Sequence, residues 1–161
     1  MLRRLFRRRM RRTAPGRRMP MEKINRIGTD RGKVNRGEIW MADFGEPQSQ
    51  DDHRLHGIRP VVIVSNDKAN MHSMVIHVVP LTSRIHKKVF QPTHVFLNVC
   101  EAQGLWKHSI AQCEQLCSVS QYELLDRIGN VSEVQMMQID TGMQVQLGMR
   151  IAQRGCFYGA G

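Results

Sequence analysis

The sequence predicts a mainly β domain of the α+β class, a small and strongly bent barrel-like sheet closed by a C-terminal helix. Three observations carry this. Short apolar runs separated by long polar loops fill the stretch from Arg36 to Val119. The hydrophobic period then changes to a helical one after Ser132. Hydrophobic residues make up 41% of the 161 residues, enough for a core that needs neither disulfides nor a cofactor.

Residues 1–20 hold nine arginines and no acid, with Pro15, Gly16 and Pro20, and read as a disordered tail. The formal net charge of +10 belongs to this tail, because the rest of the chain holds 15 basic and 14 acidic side chains. Charge alone therefore does not assign the folded part to nucleic acid. The tail itself fits a basic arm adding non-specific RNA affinity, an organellar transit peptide, or a product of an upstream start codon, since Met19 and Met21 precede the change in composition. Residues 21–35 form a polar lead-in, the domain proper runs over 36–150, and 151–161 are a loose end with two late glycines.

Within the domain, Glu38 to Phe44 is a first strand, followed by a long polar loop from Glu46 to Gly57. Val61 to Asn66 is apolar on both faces, as a barrel strand buried on both sides should be. Met74 to Thr82 is a third strand, Arg84 to Pro92 a basic loop, and Thr93–Val99 and Ser109–Val119 two more strands. Ser120-Gln121-Tyr122-Glu123 fits a capping box and predicts a short helix ending near Gly129. Ser132-Glu133-Val134-Gln135 fits a second box opening a longer helix, with Met136, Ile139, Met143 and Leu147 on one core-facing stripe.

The four cysteines, Cys100, Cys113, Cys117 and Cys156, lack the repeated two-residue gaps of zinc and redox motifs and are expected as buried or half-buried free thiols in a reducing cytoplasm. No apolar run approaches the ~20 residues that span a bilayer, and the first 20 lack the apolar stretch of a secretory signal. The expected location is cytoplasmic, with no membrane partner.

Three segments then stand out: Arg36-Gly37-Glu38-Ile39-Trp40-Met41-Ala42-Asp43-Phe44, Gly57-Ile58-Arg59-Pro60-Val61-Val62-Ile63-Val64-Ser65-Asn66-Asp67, and Val78-Val79-Pro80-Leu81-Thr82-Ser83. With Pro92-Thr93-His94-Val95, Cys113-Glu114-Gln115, Val119-Ser120, Ile128-Gly129 and Gln146-Leu147-Gly148 they resemble, in order and spacing, the MazF/PemK toxins over residues 36 to about 149. The resemblance implies an SH3-like barrel of the MazF/CcdB toxin type that dimerises. It implies a sequence-specific endoribonuclease that cuts single-stranded RNA without a metal or other cofactor and inhibits translation and growth. It also implies a MazE-like antitoxin partner with an acidic, disordered tail, and DNA binding by the toxin–antitoxin complex. Arg59 and Thr82 match the family positions assigned to catalysis.

Those residue types suit the chemistry. Metal-free RNA cleavage uses the neighbouring 2′-hydroxyl as nucleophile, so the protein must hold the backbone in line, move a proton and stabilise charge on the phosphorus oxygens. Arg59 is a permanent cation whose planar fork matches a phosphate, and Pro60 biases it toward an extended backbone. Thr82 can donate to the same phosphate. An arginine with a pKa above ~12 is a poor general base. His56, three residues before Arg59, is a second candidate for proton transfer, against the plain alternative of an idle loop histidine.

Lys87 and Lys88 in the basic loop, the flanking Phe90, Pro92 and Thr93 in a loop that contacts RNA in the family, and Gln115 are the candidate RNA contacts. Glu123 stands where relatives often carry a base, and the capping box accounts for it. Two rival functions remain at this point: a gyrase-poisoning toxin of the CcdB type, which shares the fold, and an RNA-binding module that does not cleave.

Overall fold

The computed structural model describes residues 33–47, 55–85 and 91–149. The Arg-rich tail, the lead-in as far as Gly32, Arg150 and the C-terminal end lie outside the described residues. So do Lys87, Lys88, Phe90 and Cys156.

Strands β1 (Glu38–Asp43), β2 (Ile58–Ile63), β3 (Val75–Thr82), β4 (His94–Leu97), β5 (Ser109–Gln112), β6 (Cys117–Ser120) and β7 (Leu124–Asn130) form one sheet. Its order is β4-β5-β3-β2-β1-β7, with β6 also paired to β3, and every pairing is antiparallel. A short helix α1 (Asp67–His72) links β2 to β3, and a longer helix α2 (Glu133–Gln146) follows β7.

The sheet carries a core on each face. Strict alternation sends Ile39, Val62, Val79 and Leu81 to one side, where Val95, Leu97, Ala111 and Ile139 complete a cluster. Trp40, Val61, Ile63, Ile76 and Val78 face the other side with Val119 and Leu124. This is why the β2 run is continuously apolar: both of its faces are buried.

Three sequence expectations are corrected. Ser109–Val119 is not one strand but two, β5 and β6, separated by a 3₁₀ turn at Cys113–Gln115. β5 pairs Leu81 and Thr82 of β3, and β6 pairs Val75 to Val78, so the break lies beside Val79 and Pro80. Val64 donates its N–H to the His77 carbonyl at 2.9 Å. By the two-residue alternation of the ladder, Pro80 then turns away from β2, toward the break. A proline offers no N–H there, so the neighbouring run has no donor to pair with and leaves the ladder at this point.

Second, Ser120–Gly129 is not a helix. The capping box is real: Ser120 N–H donates to Glu123 Oε2 at 2.7 Å, and the Ser120 hydroxyl caps the turn. It caps a single 3₁₀ turn at Gln121–Glu123, after which the chain becomes β7 because Leu124 pairs with Ala42 of β1 and is buried. Tertiary pairing overrides the local signal. Third, the helical stripe stops short. The Ser132–Gln135 box opens α2 and Ile139 is buried, with Met136 and Met143 packed on the core, but Leu147 is exposed beyond the last turn. α1 is an element the sequence reading did not assign; Asn66 caps it by accepting from Ala69 N–H at 2.8 Å.

Two features lock the frame. Buried Glu38 accepts from Trp40 Nε1 (2.9 Å), from Asn35 N (3.1 Å) and Nδ2 (3.2 Å), and pairs with Arg127 Nε at 2.9 Å. Gly104 and Gly129 meet backbone to backbone, where Asn130 N–H donates to the Gln103 carbonyl at 3.1 Å. A Cβ on Gly104 would lie 1.7 Å from the Ile128 carbonyl oxygen, and its φ of +86° suits only glycine.

Candidate functional site

The C-terminal half of β3, the start of β2, the loop before β4, the 3₁₀ turn and the segment 104–107 enclose a cleft of about 1130 Å³. Its geometry starts from strand register. β2 and β3 pair Val61 with Pro80 and Val62 with Val79. Continued by two residues, that register sets Arg59 opposite Thr82 on the same face. Both line the cleft.

Arg59 is exposed, and its Nε–H donates to the His56 carbonyl at 2.8 Å. The bond uses one edge of the guanidinium and leaves the two terminal nitrogens directed elsewhere. The neck of the preceding loop is tied where Phe44 N–H donates to the Gly57 carbonyl (3.1 Å) and Gly57 N–H to the Gly45 carbonyl (2.7 Å). Thr82 Oγ1 accepts the Arg84 N–H at 3.2 Å, which leaves its own hydroxyl hydrogen to donate into the cleft. Arg84 and Lys107 add cations to the lining.

Across from them lies a carboxylate–imidazole pair. His94 Nε2 and Glu114 Oε1 are 2.7 Å apart, with the His94 side chain only 5% exposed. Glu114 Oε2 and Gln115 Oε1 are buried acceptors with no hydrogen-bond partner among the described residues. Such orphaned acceptors each cost ~1–3 kcal/mol, and a donor brought by a ligand recovers it. The turn bearing them is fixed from below: Cys113 N–H donates to the Thr93 carbonyl at 3.0 Å, and its thiol to the Ile139 carbonyl of α2 at 3.7 Å. Gly142 of α2 makes room, since a Cβ there would stand 2.8 Å from Cys113 Sγ. Burial, with Glu114 and Asp140 nearby, pushes the Cys113 thiol up to about 12, so it is a packing residue and not a nucleophile. Burial, then Glu123, also raises the Cys117 thiol; Cys100, expected to be at least half-buried, is exposed at a turn after β4.

Of the residues singled out from sequence, Arg59, Thr82, His56, Pro92, Thr93 and Gln115 all line this one cleft. His94, Glu114 and Trp106 line it too, and sequence reasoning gave them no role. His94 and Glu114 are twenty residues apart and meet only through the sheet, so no local spacing reports them. Trp106 had a signal, an aromatic beside Lys107 and His108 just after a glycine.

The fold is that of small bacterial toxins. An endoribonuclease solved in complex with its cognate antitoxin from Mycobacterial species superposes with a TM-score of 0.59 at 25% identity, covering 73% of this chain and 97% of that one. A second endoribonuclease from Mycobacterial species gives 0.57 at 23% identity over 73% and 94%. MazF from Deinococcus radiodurans gives 0.59 at 17% identity over 74% and 100%. The family model for PemK-like, MazF-like toxins of type II toxin–antitoxin systems matches residues 35–147, and the chain belongs to that family. Among the described residues no helix is long and apolar enough to cross a membrane.

Proposed function

We propose that this protein is the toxin of a toxin–antitoxin pair and acts as a sequence-specific endoribonuclease on single-stranded RNA, without a metal, to inhibit translation and growth. The observation that carries this is that Arg59 and Thr82 line one cleft, which also holds the half-buried Glu114 carboxylate on the His94 imidazole. Arg59 holds the scissile phosphate and offsets the charge that develops on its oxygens. Thr82 donates to the same group. The 2′-oxygen bonds to phosphorus as the bond to the 5′-oxygen breaks. The products are a 2′,3′-cyclic phosphate and a 5′-hydroxyl, the leaving 5′-oxygen taking its proton from water. The 2′-hydroxyl proton goes to a cleft base, for which Glu114, held by His94, and His56 are the chemically competent groups. Pro92, Thr93 and Gln115 contact the flanking nucleotides, as do Lys87, Lys88 and Phe90 of the basic loop.

Family membership supports this reading over a CcdB-like gyrase poison. Complexes of related toxins with their antitoxins support an acidic, MazE-like partner, which would neutralise the cationic cleft. The active form is a homodimer in the cytoplasm, and the toxin–antitoxin complex binds DNA.

The test is to incubate the full chain with a long mixed-sequence RNA in excess EDTA and map the cut ends, with Arg59→Ala, His56→Ala and Glu114→Gln alongside. Sharp cuts at one short motif, lost by a factor of ~100 or more in Arg59→Ala, support the assignment. Loss of the acidic limb of the pH–rate profile in Glu114→Gln but not in His56→Ala identifies Glu114 as the base, and the converse identifies His56. Uncut RNA, or cuts that persist in Arg59→Ala, sink the ribonuclease reading and leave a silent RNA binder or a gyrase poison.

A further inference from the structure

Trp106 is the most exposed large hydrophobic side chain among the described residues, at 72%, and it lies in the lining of the cleft. At that exposure the indole forgoes much of the gain that burial would bring, so its placement in the cleft lining is informative. Lys107 follows it and lines the same cleft. The segment that presents it is not loose at its base: Gly104 is clamped against Ile128 and Gly129, and Gln103 bridges Asn130 of β7. The indole therefore projects two residues from a fixed backbone crossing.

The aromatic edge continues beyond the cleft. Phe96 follows His94 at the two-residue period on the outward face of β4 and is half exposed. It stacks on His108 with ring centroids 5.5 Å apart and an interplanar angle of 29°. An exposed aromatic surface interleaved with Lys107 is the composition of a single-stranded nucleic-acid track, in which bases stack and cations meet the phosphates.

We propose that Trp106 is a base-stacking subsite for a nucleotide flanking the scissile phosphate, with Lys107 on the adjoining phosphate and the Phe96–His108 stack prolonging the track. This rests on the ribonuclease reading above. Stacking is tolerant of base identity, so the subsite sets the reach and affinity of the RNA track, while the motif is read elsewhere in the cleft.

The chain provides its own reporter. It has two tryptophans, and the other, Trp40, is buried. Acrylamide quenching of the intrinsic fluorescence therefore follows Trp106. The full chain is titrated with a mixed-sequence oligodeoxynucleotide of about ten residues, which lacks the 2′-hydroxyl nucleophile, and with an abasic oligonucleotide of equal length. The expected result is protection of Trp106 by the first and much weaker protection by the second. Trp106→Ala weakens oligonucleotide binding about fivefold or more, and raises KM for RNA with little change in kcat, whereas Trp106→Phe restores most of the loss. Equal protection by both probes, or unchanged binding in a Trp106→Ala variant that still cuts RNA, overturns the subsite while leaving the ribonuclease intact. Protection by an acidic peptide but not by the oligonucleotide overturns it and assigns the edge to a protein partner. Neither binding nor cleavage of nucleic acid overturns both readings.

Discussion

Replacing Gly129 with alanine tests the backbone crossing on which segment 104–107 depends. The new Cβ would stand 1.7 Å from the Gln103 carbonyl oxygen and 2.5 Å from its carbon. Neither atom is the end of a side chain that can swing away, so the two backbones must separate by more than an ångström to reach ordinary contact. That separation breaks the bond from Asn130 N–H to the Gln103 carbonyl, now 3.1 Å long. Overpacking costs ~1–3 kcal/mol and the lost hydrogen bond ~1 kcal/mol, offset by a gain of ~0.5 kcal/mol from a less flexible unfolded chain. The expected net loss is about 3 kcal/mol. Gly104→Ala makes the same clash against Ile128 and also holds alanine at a φ of +86°. That adds ~1–2 kcal/mol, for a total near 4–5 kcal/mol. Urea unfolding followed by far-UV circular dichroism measures both, and each kilocalorie corresponds to roughly 4 °C in Tm. A Gly129→Ala loss under about 1 kcal/mol would refute the steric argument, and equal losses in the two variants would refute the contribution of φ.

Two further predictions concern groups outside the cleft chemistry. Glu38→Ala leaves Trp40 Nε1 and Asn35 without their acceptor and should cost about 3 kcal/mol, while Glu38→Gln keeps part of the network and should cost less than half of that; equal losses in thermal unfolding would show that charge, not geometry, matters there. For the thiols, alkylation at pH 8 with peptide mapping should label Cys100 readily and leave Cys113 unlabelled until the protein unfolds. Because Cys113 titrates higher when folded, its contribution to stability is constant below its unfolded value of 9.0 and is lost as pH rises from there toward about 12. Labelling of native Cys113 at the rate of Cys100 would contradict the burial.

The strands that bury both faces were legible in the sequence because continuous apolar runs such as Val61–Val64 have few other solutions. The second capping box was legible because nothing competes with it before α2 begins. The first was read correctly as chemistry and incorrectly as length: Ser120 and Glu123 do cap a turn, but Leu124 is claimed by β1. The break between β5 and β6 follows from the direction Pro80 faces, which depends on a register no single strand reveals. The site divides the same way. Arg59 and Thr82, singled out through family resemblance, line the same cleft. His94 and Glu114 were not legible, since their contact is made by folding alone.

Arg59 is steered by a main-chain carbonyl, that of His56, rather than by a side chain. Every amino acid carries that carbonyl. The aim of the arginine therefore does not depend on the side chain at position 56, whatever part that side chain plays in proton transfer, and the neck at Gly45 and Gly57 is likewise tied by main-chain atoms alone. The scaffold thus separates what must be inherited, a path, from what is open to variation, a sequence. Replacing residues 48–54 with a segment of another length should accordingly leave the contact between Arg59 Nε and the His56 carbonyl in place.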